Sequence, residues 1–373
     1  MNSNLKKYSI SEIENLHIMG RTGNVTDPLP LFWNHSGIEL CVTGTELWVE
    51  VEVEYSSFEP WVALEINDFL MARHMLLSGT HDVCLFRMMS PEPIKHIRWY
   101  REVQGYGDAV CRLVIKSIST DGEILPVPKK DMRIEFIGDS ITSGEGTYGA
   151  HDDMDWISMY MSSSRHYANF VEKELNADVQ LISQGGWGVW SAWDNNRNNV
   201  LPRIYEKVCA QTDPYMNEKF GAYGMNDFAK FNPDYIIINL GTNDNSSFDQ
   251  PAFTDTATGV VWQSRRNEDG SKNAEDVAMI DKAVVDFLTM VRRHNPNSRI
   301  IWTYGMLGNE LEPVLVEAVA RYKSESGDEK VSYFATPNTT DETFGSHWHP
   351  GLESHKNAAY ALIGYIKELQ KKA

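Results

Sequence analysis

Two domains of different class are predicted, an all-β sandwich followed by an α/β unit in which a parallel sheet lies between layers of helices. Three observations carry that prediction. Residues 40–120 read as short strands, several of which alternate apolar and polar residues with a period of two. Beyond residue 130 the pattern changes to short apolar runs separated by longer stretches of helical period. The chain has 373 residues, room for one large or two ordinary domains.

In the first domain TELWVEVEVEY sets the rule. Leu47, Val49, Val51, Val53 and Tyr55 alternate with Trp48, Glu50, Glu52 and Glu54, so one face turns inward and the other stays wet. PWVALEI, HDVCLFRM, HIRWYREV and CRLVIKSI follow, each bounded by turn residues, at the spacing of a β-sandwich. DGEILPVPKKDM, from Asp121 to Met132, carries two prolines and a basic pair and places the boundary near Lys129, giving domains 1–128 and 129–373. In the second domain the expected strands are RIEFIG, VQLIS, DYIIINLG, RIIWTYG and VSYFAT. SRHYANFVEKEL, MIDKAVVDFLTMVRRH and LESHKNAAYALIGYIKELQ are expected helices. The polar stretch from Ser246 to Ala278 is too long for a passive connection, and reads as a substrate loop or a disordered insertion.

Bulk composition excludes several function classes. A formal charge of -18 disfavours nucleic acid, anionic membranes and acidic polysaccharides, because binding a polyanion requires a basic stripe and none is present. No apolar run reaches the roughly 18 residues of a membrane span. The opening MNSNLKKYSISEIENLHIMG lacks the apolar core and cleavage site of a secretory signal, so a cytoplasmic location is expected. Cys41, Cys84, Cys111 and Cys209 have no CxxC spacing and are too few for a disulfide framework, which reads as buried free thiols.

Chemistry is expected at the strand ends, where an open parallel sheet builds its site. IEFIGDSITSGEG sets Gly138, Asp139 and Ser140 just past a strand. A serine in such a turn exposes its hydroxyl while its own N–H faces a developing oxyanion, the arrangement acyl transfer needs. Read alone, GDS is more often a turn whose Asp and Ser cap a helix. SQGGWGVW supplies Gly185, Gly186 and Gly188, which let main-chain N–H groups approach a ligand closely. INLGTNDN offers Asn243 as an amide donor, with Asp244 holding the loop through main-chain bonds. GSHWHPG, near the C-terminus, offers an imidazole to take the serine proton.

In this order the four blocks resemble those of the SGNH (GDSL-type) esterases, over most of Arg133 to Ala373. The resemblance implies an αβα flavodoxin-like fold without a cofactor. By position Ser140 is then the nucleophile and His349 the base, and the oxyanion hole is formed by the N–H groups of Ser140 and Gly188 and the Asn243 amide. Gly188 is preferred to Gly186 by counting from the end of VQLIS. A β-sandwich ahead of these blocks, with GGWG and the WHP ending, is similar to carbohydrate esterase family 2, whose members carry an N-terminal jelly roll and remove acetyl groups from plant polysaccharides or oligosaccharides. The implied partner is an acetylated oligosaccharide, of mannan or xylan type. Trp187, Trp190 and Trp348 sit in or beside the blocks and suit stacking on sugar rings, while core packing is expected for at least one of them.

One part of the family pattern is missing. SGNH enzymes usually place an Asp two or three residues before the base, where this chain has His347 and Ser346. The expectation is therefore a Ser–His dyad, with a main-chain carbonyl holding Nδ1 of His349; Asp341 or Glu342 folding back is the alternative. His347 is assigned to the substrate side or to a polar contact behind the base. A metal reading through His347 and His349 needs a third ligand, for which His151, Asp152, Asp153 and Asp155 in HDDMD are the source. No metal is assigned. Rival functions are a lipid or other acyl hydrolase and a carbohydrate-binding protein that has lost catalysis.

Overall fold

The computed structural model of the protein describes residues 5–372. Among them no helix is long and apolar enough to cross a membrane. The chain divides into two compact units. The first is Met1–Lys130 with Trp156–Ser164 and Lys207–Asp227; the second is Asp131–Asp155, Arg165–Glu206 and Phe228–Ala373. The sequence pattern suggested one cut near Lys129; in the structure two later segments also pack with the β unit.

The first unit is a sandwich of two antiparallel sheets. One has the order Lys6–Ser9, Cys111–Thr120, Glu46–Tyr55, Gly79–Arg87, with Leu29–Pro30 also pairing to Cys111–Thr120. The other runs Ile124–Leu125, Gly37–Val42, Lys95–Arg101, Trp61–Ile66, Phe69–Met75, with His17–Met19 beside Gly37–Val42. The period of two decides which side chains go in: Leu47, Val49, Val51 and Val53 join one core with Leu113 and Ile115 from their own sheet and Ile38, Leu40, Val62 and Trp99 from the other. Gly37–Val42, absent from the sequence-based strands, is buried along its whole length, with Ile38, Leu40 and Val42 in this core and Glu39 between them paired to His96.

Buried charges tie the later segments to this unit. Glu102, fully buried, accepts the Ser164 N–H (2.8 Å), the Ser164 hydroxyl (2.5 Å) and Arg73 Nε (2.7 Å). Arg112 makes a two-pronged bond to Asp213, at 2.9 and 2.8 Å. A carboxylate removed from water needs such donors, so the segments are held by groups that cannot be left unpaired.

The second unit carries five parallel strands in the order Ala177–Ser183, Met132–Gly138, Tyr235–Asn239, Arg299–Gly305, Val331–Thr336. Each matches an expected run. By chain position the order is 2-1-3-4-5, the flavodoxin-like arrangement, which leaves a crevice where the strand order reverses, at the carboxyl ends of Met132–Gly138 and Tyr235–Asn239. Tyr167–Glu174 and Leu352–Lys371 cover one face, in a core with Ile134, Phe136, Ile237 and Ile301. Ala274–His294 covers the other, where Phe287 meets Trp302 edge-on, and Glu312–Ser326 packs beside it.

The stretch from Ser246 to Ala278 is folded. It contains a short hairpin, Phe253–Thr254 with Val261–Trp262, and Arg266 and Arg265 pin it through paired bonds to Asp249 and Asp276. This corrects the alternative of a disordered insertion: four internal charge-assisted bonds supply the order that its composition alone does not suggest.

Candidate active site

Four strand ends deliver the expected residues. Gly138 ends the first strand, and a Cβ there would lie 2.0 Å from the Thr142 hydroxyl and 2.9 Å from the Asn239 carbonyl, so the chain turns this tightly only with glycine. Asp139 caps the short helix Ser140–Ser143 by accepting the Ile141 N–H at 3.0 Å. Ser140 opens that helix, which leaves its own N–H outside the helical bonding pattern.

Ser140 and His349 meet. Nε2 of His349 lies 2.8 Å from the Ser140 hydroxyl oxygen, across 209 residues of sequence. Nδ1 of His349 lies 2.7 Å from the His347 carbonyl oxygen. A carbonyl only accepts, so Nδ1 carries the proton and Nε2 presents its lone pair to the hydroxyl, the tautomer a general base requires.

The carboxylate nearest this pair was not foreseen. Glu145, five residues after the nucleophile and 5% exposed, places Oε1 2.8 Å from Nδ1 of His347 and 3.6 Å from Nδ1 of His349. The second distance is beyond a hydrogen bond but within Coulomb range. Asp341 and Glu342 are exposed, and it is Glu145 that stands beside the base. Its signal was present in GDSITSGEG, in the nucleophile's own block. Reasoning that looked for an acid close to the base in sequence passed over it.

The remaining expected groups line the same end of the sheet. The Asn243 amide donates to Asp139 Oδ2 at 3.2 Å and to the Trp187 carbonyl at 2.9 Å. Asp244 accepts the N–H groups of Val189, Trp190 and Ser191 at 2.9, 2.8 and 2.9 Å, the loop-holding role expected of it. Gly188 is enclosed by that clamp: a Cβ there would sit 2.2 Å from the Ser191 carbonyl and 2.4 Å from Asp244 Oδ2. Gly186 is less confined, its nearest neighbour being the Trp193 ring at 3.0 Å. Burial pushes the Asp139 carboxyl up to about 7 and raises that of Asp244 as well, the latter against three main-chain donors that favour the charged form.

Of the three tryptophans, Trp348 is 68% exposed and Trp187 half-buried, whereas Trp190 is buried and has the Arg197 guanidinium over its ring at 3.9 Å. Trp190 is thus the one that packs inside, and the expectation of a sugar platform is corrected there because its face is already occupied. Of the HDDMD residues, His151 bonds to Asp152 at the surface, and the main-chain carbonyl of Asp153 lies 2.7 Å from the His347 N–H. Among the described residues, the group that brings metal-type ligand atoms together is instead Glu145, His347 and His349, within 4.8 Å of one another. Both ring nitrogens of His349 are engaged, one on a carbonyl and one on a hydroxyl.

Known proteins resemble this chain in sequence and in fold. The GDSL-like lipase/acylhydrolase family matches residues 136–356. The solved structure of the acetyl xylan esterase Est2A from the rumen bacterium Butyrivibrio proteoclasticus is 51% identical and superposes with a TM-score of 0.96, over 98% of this chain and 99% of that one. A family two carbohydrate esterase from Clostridium thermocellum, solved in complex with cellohexaose, shares the fold at 23% identity and a TM-score of 0.78, over 95% and 99% of the two chains. The cellulase/esterase CelE of Acetivibrio thermocellus is 26% identical over 90% of this chain, which spans 37% of that longer protein. With the family match covering more than half of its length, the chain belongs to the GDSL-like lipase/acylhydrolase family and carries a serine esterase domain, with family 2 carbohydrate esterases among its structural neighbours.

Proposed function

We propose that the protein is a carbohydrate O-acetyl esterase acting on acetylated oligosaccharides of xylan or mannan type through a Ser140–His349 dyad. One observation carries the reading: the imidazole that contacts the Ser140 hydroxyl at 2.8 Å has its other nitrogen on a main-chain carbonyl at 2.7 Å. The similarity to an acetyl xylan esterase over nearly the full length of both chains supports the substrate class.

In this mechanism Ser140 Oγ bonds to the acetyl carbonyl carbon as Nε2 of His349 takes its proton. The oxyanion is held by the N–H groups of Ser140 and Gly188 and by the Asn243 amide, which exchanges one of its two present bonds for the new one. The bond between the acetyl carbon and the sugar oxygen then breaks, and the departing sugar oxygen receives the proton from His349. Water, deprotonated by the same imidazole, attacks the acetyl-serine and releases acetate. A carbonyl partner orients His349 without the full charge stabilisation a bonded carboxylate gives, which an acetyl ester tolerates better than an amide. Trp187 and Trp348 are assigned to the sugar side, and His347 keeps its polar contact with Glu145 behind the base. The four cysteines, all unpaired thiols, suit a cytoplasmic location.

The test is acetate release from acetylated xylo- and manno-oligosaccharides by the wild type and Ser140→Ala; equal rates would sink the proposal. On p-nitrophenyl esters acetate is expected to be strongly preferred to butyrate, and the reverse order would move the substrate to another acyl ester.

A further inference from the structure

We infer that Glu145 is a positioning residue for the base: through the His347 ring it holds the His347 carbonyl on Nδ1 of His349. The inference rests on the proposed esterase reading and concerns how its base is aimed.

The connection is continuous. The Glu145 N–H donates to the Ser140 carbonyl at 3.0 Å, so Glu145 is tied to the nucleophile's own turn. Its carboxylate then takes Nδ1 of His347 at 2.8 Å, the His347 carbonyl takes Nδ1 of His349 at 2.7 Å, and Nε2 of His349 returns to Ser140 at 2.8 Å. Four short contacts form a closed ring of residues that begins and ends at the nucleophile.

The backbone at His347 needs this support. His347 and Trp348 have φ of 53° and 52°, a left-handed conformation that side chains other than glycine rarely adopt, and here two such residues follow one another. The 68% exposed Trp348 ring gives this turn little packing of its own. Anchors therefore have to hold it: the His347 N–H on the Asp153 carbonyl at 2.7 Å, the Ser346 N–H on the Gly146 carbonyl at 3.2 Å, and the ring of His347 on buried Glu145. Of these, only the last is a side-chain bond to His347, and it sets where the carbonyl points. The rings of His347 and His349 lie parallel, 5.6 Å apart and 2° from coplanar in tilt, as expected if both are fixed from one side.

Glu145 also contributes charge. At 3.6 Å its carboxylate faces the nitrogen that becomes part of an imidazolium during attack. The same carboxylate raises the pKa of His347 through their hydrogen bond. Other titratable groups nearby are common to every variant compared. His355, wholly buried, is pushed down to about 3, and Asp139 sits near Glu145 and is pushed up to about 7. The Asp153 carboxylate is held by the Ala150 N–H at 2.9 Å.

Hydrolysis of p-nitrophenyl acetate is measured for the wild type, Glu145→Ala, Glu145→Gln, His347→Ala and the double variant Glu145→Ala/His347→Ala, with Ser140→Ala as the blank. Glu145→Ala and His347→Ala are each expected to lower kcat by about 10- to 100-fold, the usual loss of an orienting partner, with KM within about twofold of wild type. The double variant is expected to be no slower than the slower single one, because both act through one carbonyl. Glu145→Gln keeps an acceptor for His347 and is expected to recover part of kcat. Additive losses, a rise in KM at unchanged kcat, or wild-type kcat in the Ala variants would overturn the inference. If Glu145→Ala does not fold, Glu145→Gln and His347→Ala decide by the same criteria. Ser140→Ala as active as wild type would instead remove the esterase reading.

Discussion

Gly146→Ala is the perturbation that best tests whether the base turn is held where the reaction needs it. Gly146 has φ +71°, and a Cβ there would lie 2.4 Å from the His349 Cβ and 2.5 Å from the Ser346 carbonyl oxygen. Carbon atoms in ordinary contact are about 3.5 Å apart, so the base must retreat by about 1 Å. That stretches the 2.8 Å contact between Nε2 and the Ser140 hydroxyl to roughly 3.8 Å, beyond hydrogen bonding. A misplacement of about 1 Å costs on the order of 100-fold in rate, or roughly 2.7 kcal/mol of barrier. Left-handed strain adds about 1 kcal/mol to the cost of folding. The control is Gly327→Ala, at φ +70° with nothing within 4 Å of its Cβ, which carries the same strain without the clash. Both variants should lose stability in urea, Gly146→Ala the more because of its clash, and only Gly146→Ala should lose kcat/KM on p-nitrophenyl acetate. Activity within about threefold of wild type in Gly146→Ala would refute the reasoning.

Asp139, pushed up to about 7 by burial from an ordinary 3.8, keeps a proton in the folded state that the unfolded chain has released between those values. Stability contributed at this site should therefore fall as pH rises from about 4 to about 7, by at most about 1.4 kcal/mol per pH unit. Urea unfolding of wild type against Asp139→Asn across that range measures it, and a pH-independent difference would count against the burial argument. Because both nitrogens of His349 are spent on a carbonyl and a hydroxyl, exhaustive dialysis against EDTA should leave acetyl ester hydrolysis unchanged; a loss restored by Zn²⁺ would point to metal ligation by Glu145, His347 and His349. Trp348→Ala should raise KM for acetylated oligosaccharides severalfold while sparing stability and p-nitrophenyl acetate turnover, since the ring is 68% exposed. Unchanged KM would remove Trp348 from the sugar side.

The sequence by itself determined the class of each domain, the five strands of the parallel sheet, and which serine and histidine would meet. These follow from local period and from block order, and local period reflects which face of a strand is buried. Gly37–Val42 was missed although Ile38, Leu40 and Val42 alternate with Glu39 and Cys41, because Glu39 reads as a surface charge until its buried pairing with His96 is known. Only the tertiary structure decided that Trp156–Ser164 and Lys207–Asp227 belong with the β unit, because the bonds of Glu102 and Arg112 that hold them join residues far apart in sequence. It also decided the surroundings of the base. The absence of an Asp before His349 and the main-chain carbonyl at Nδ1 follow from the sequence and its family pattern, but Glu145 lies some 200 residues away and is brought to His347 by the packing of two turns. Sequence distance measures how much chain must be ordered to make a contact, and it does not say which buried carboxylate finds its partner when the chain closes.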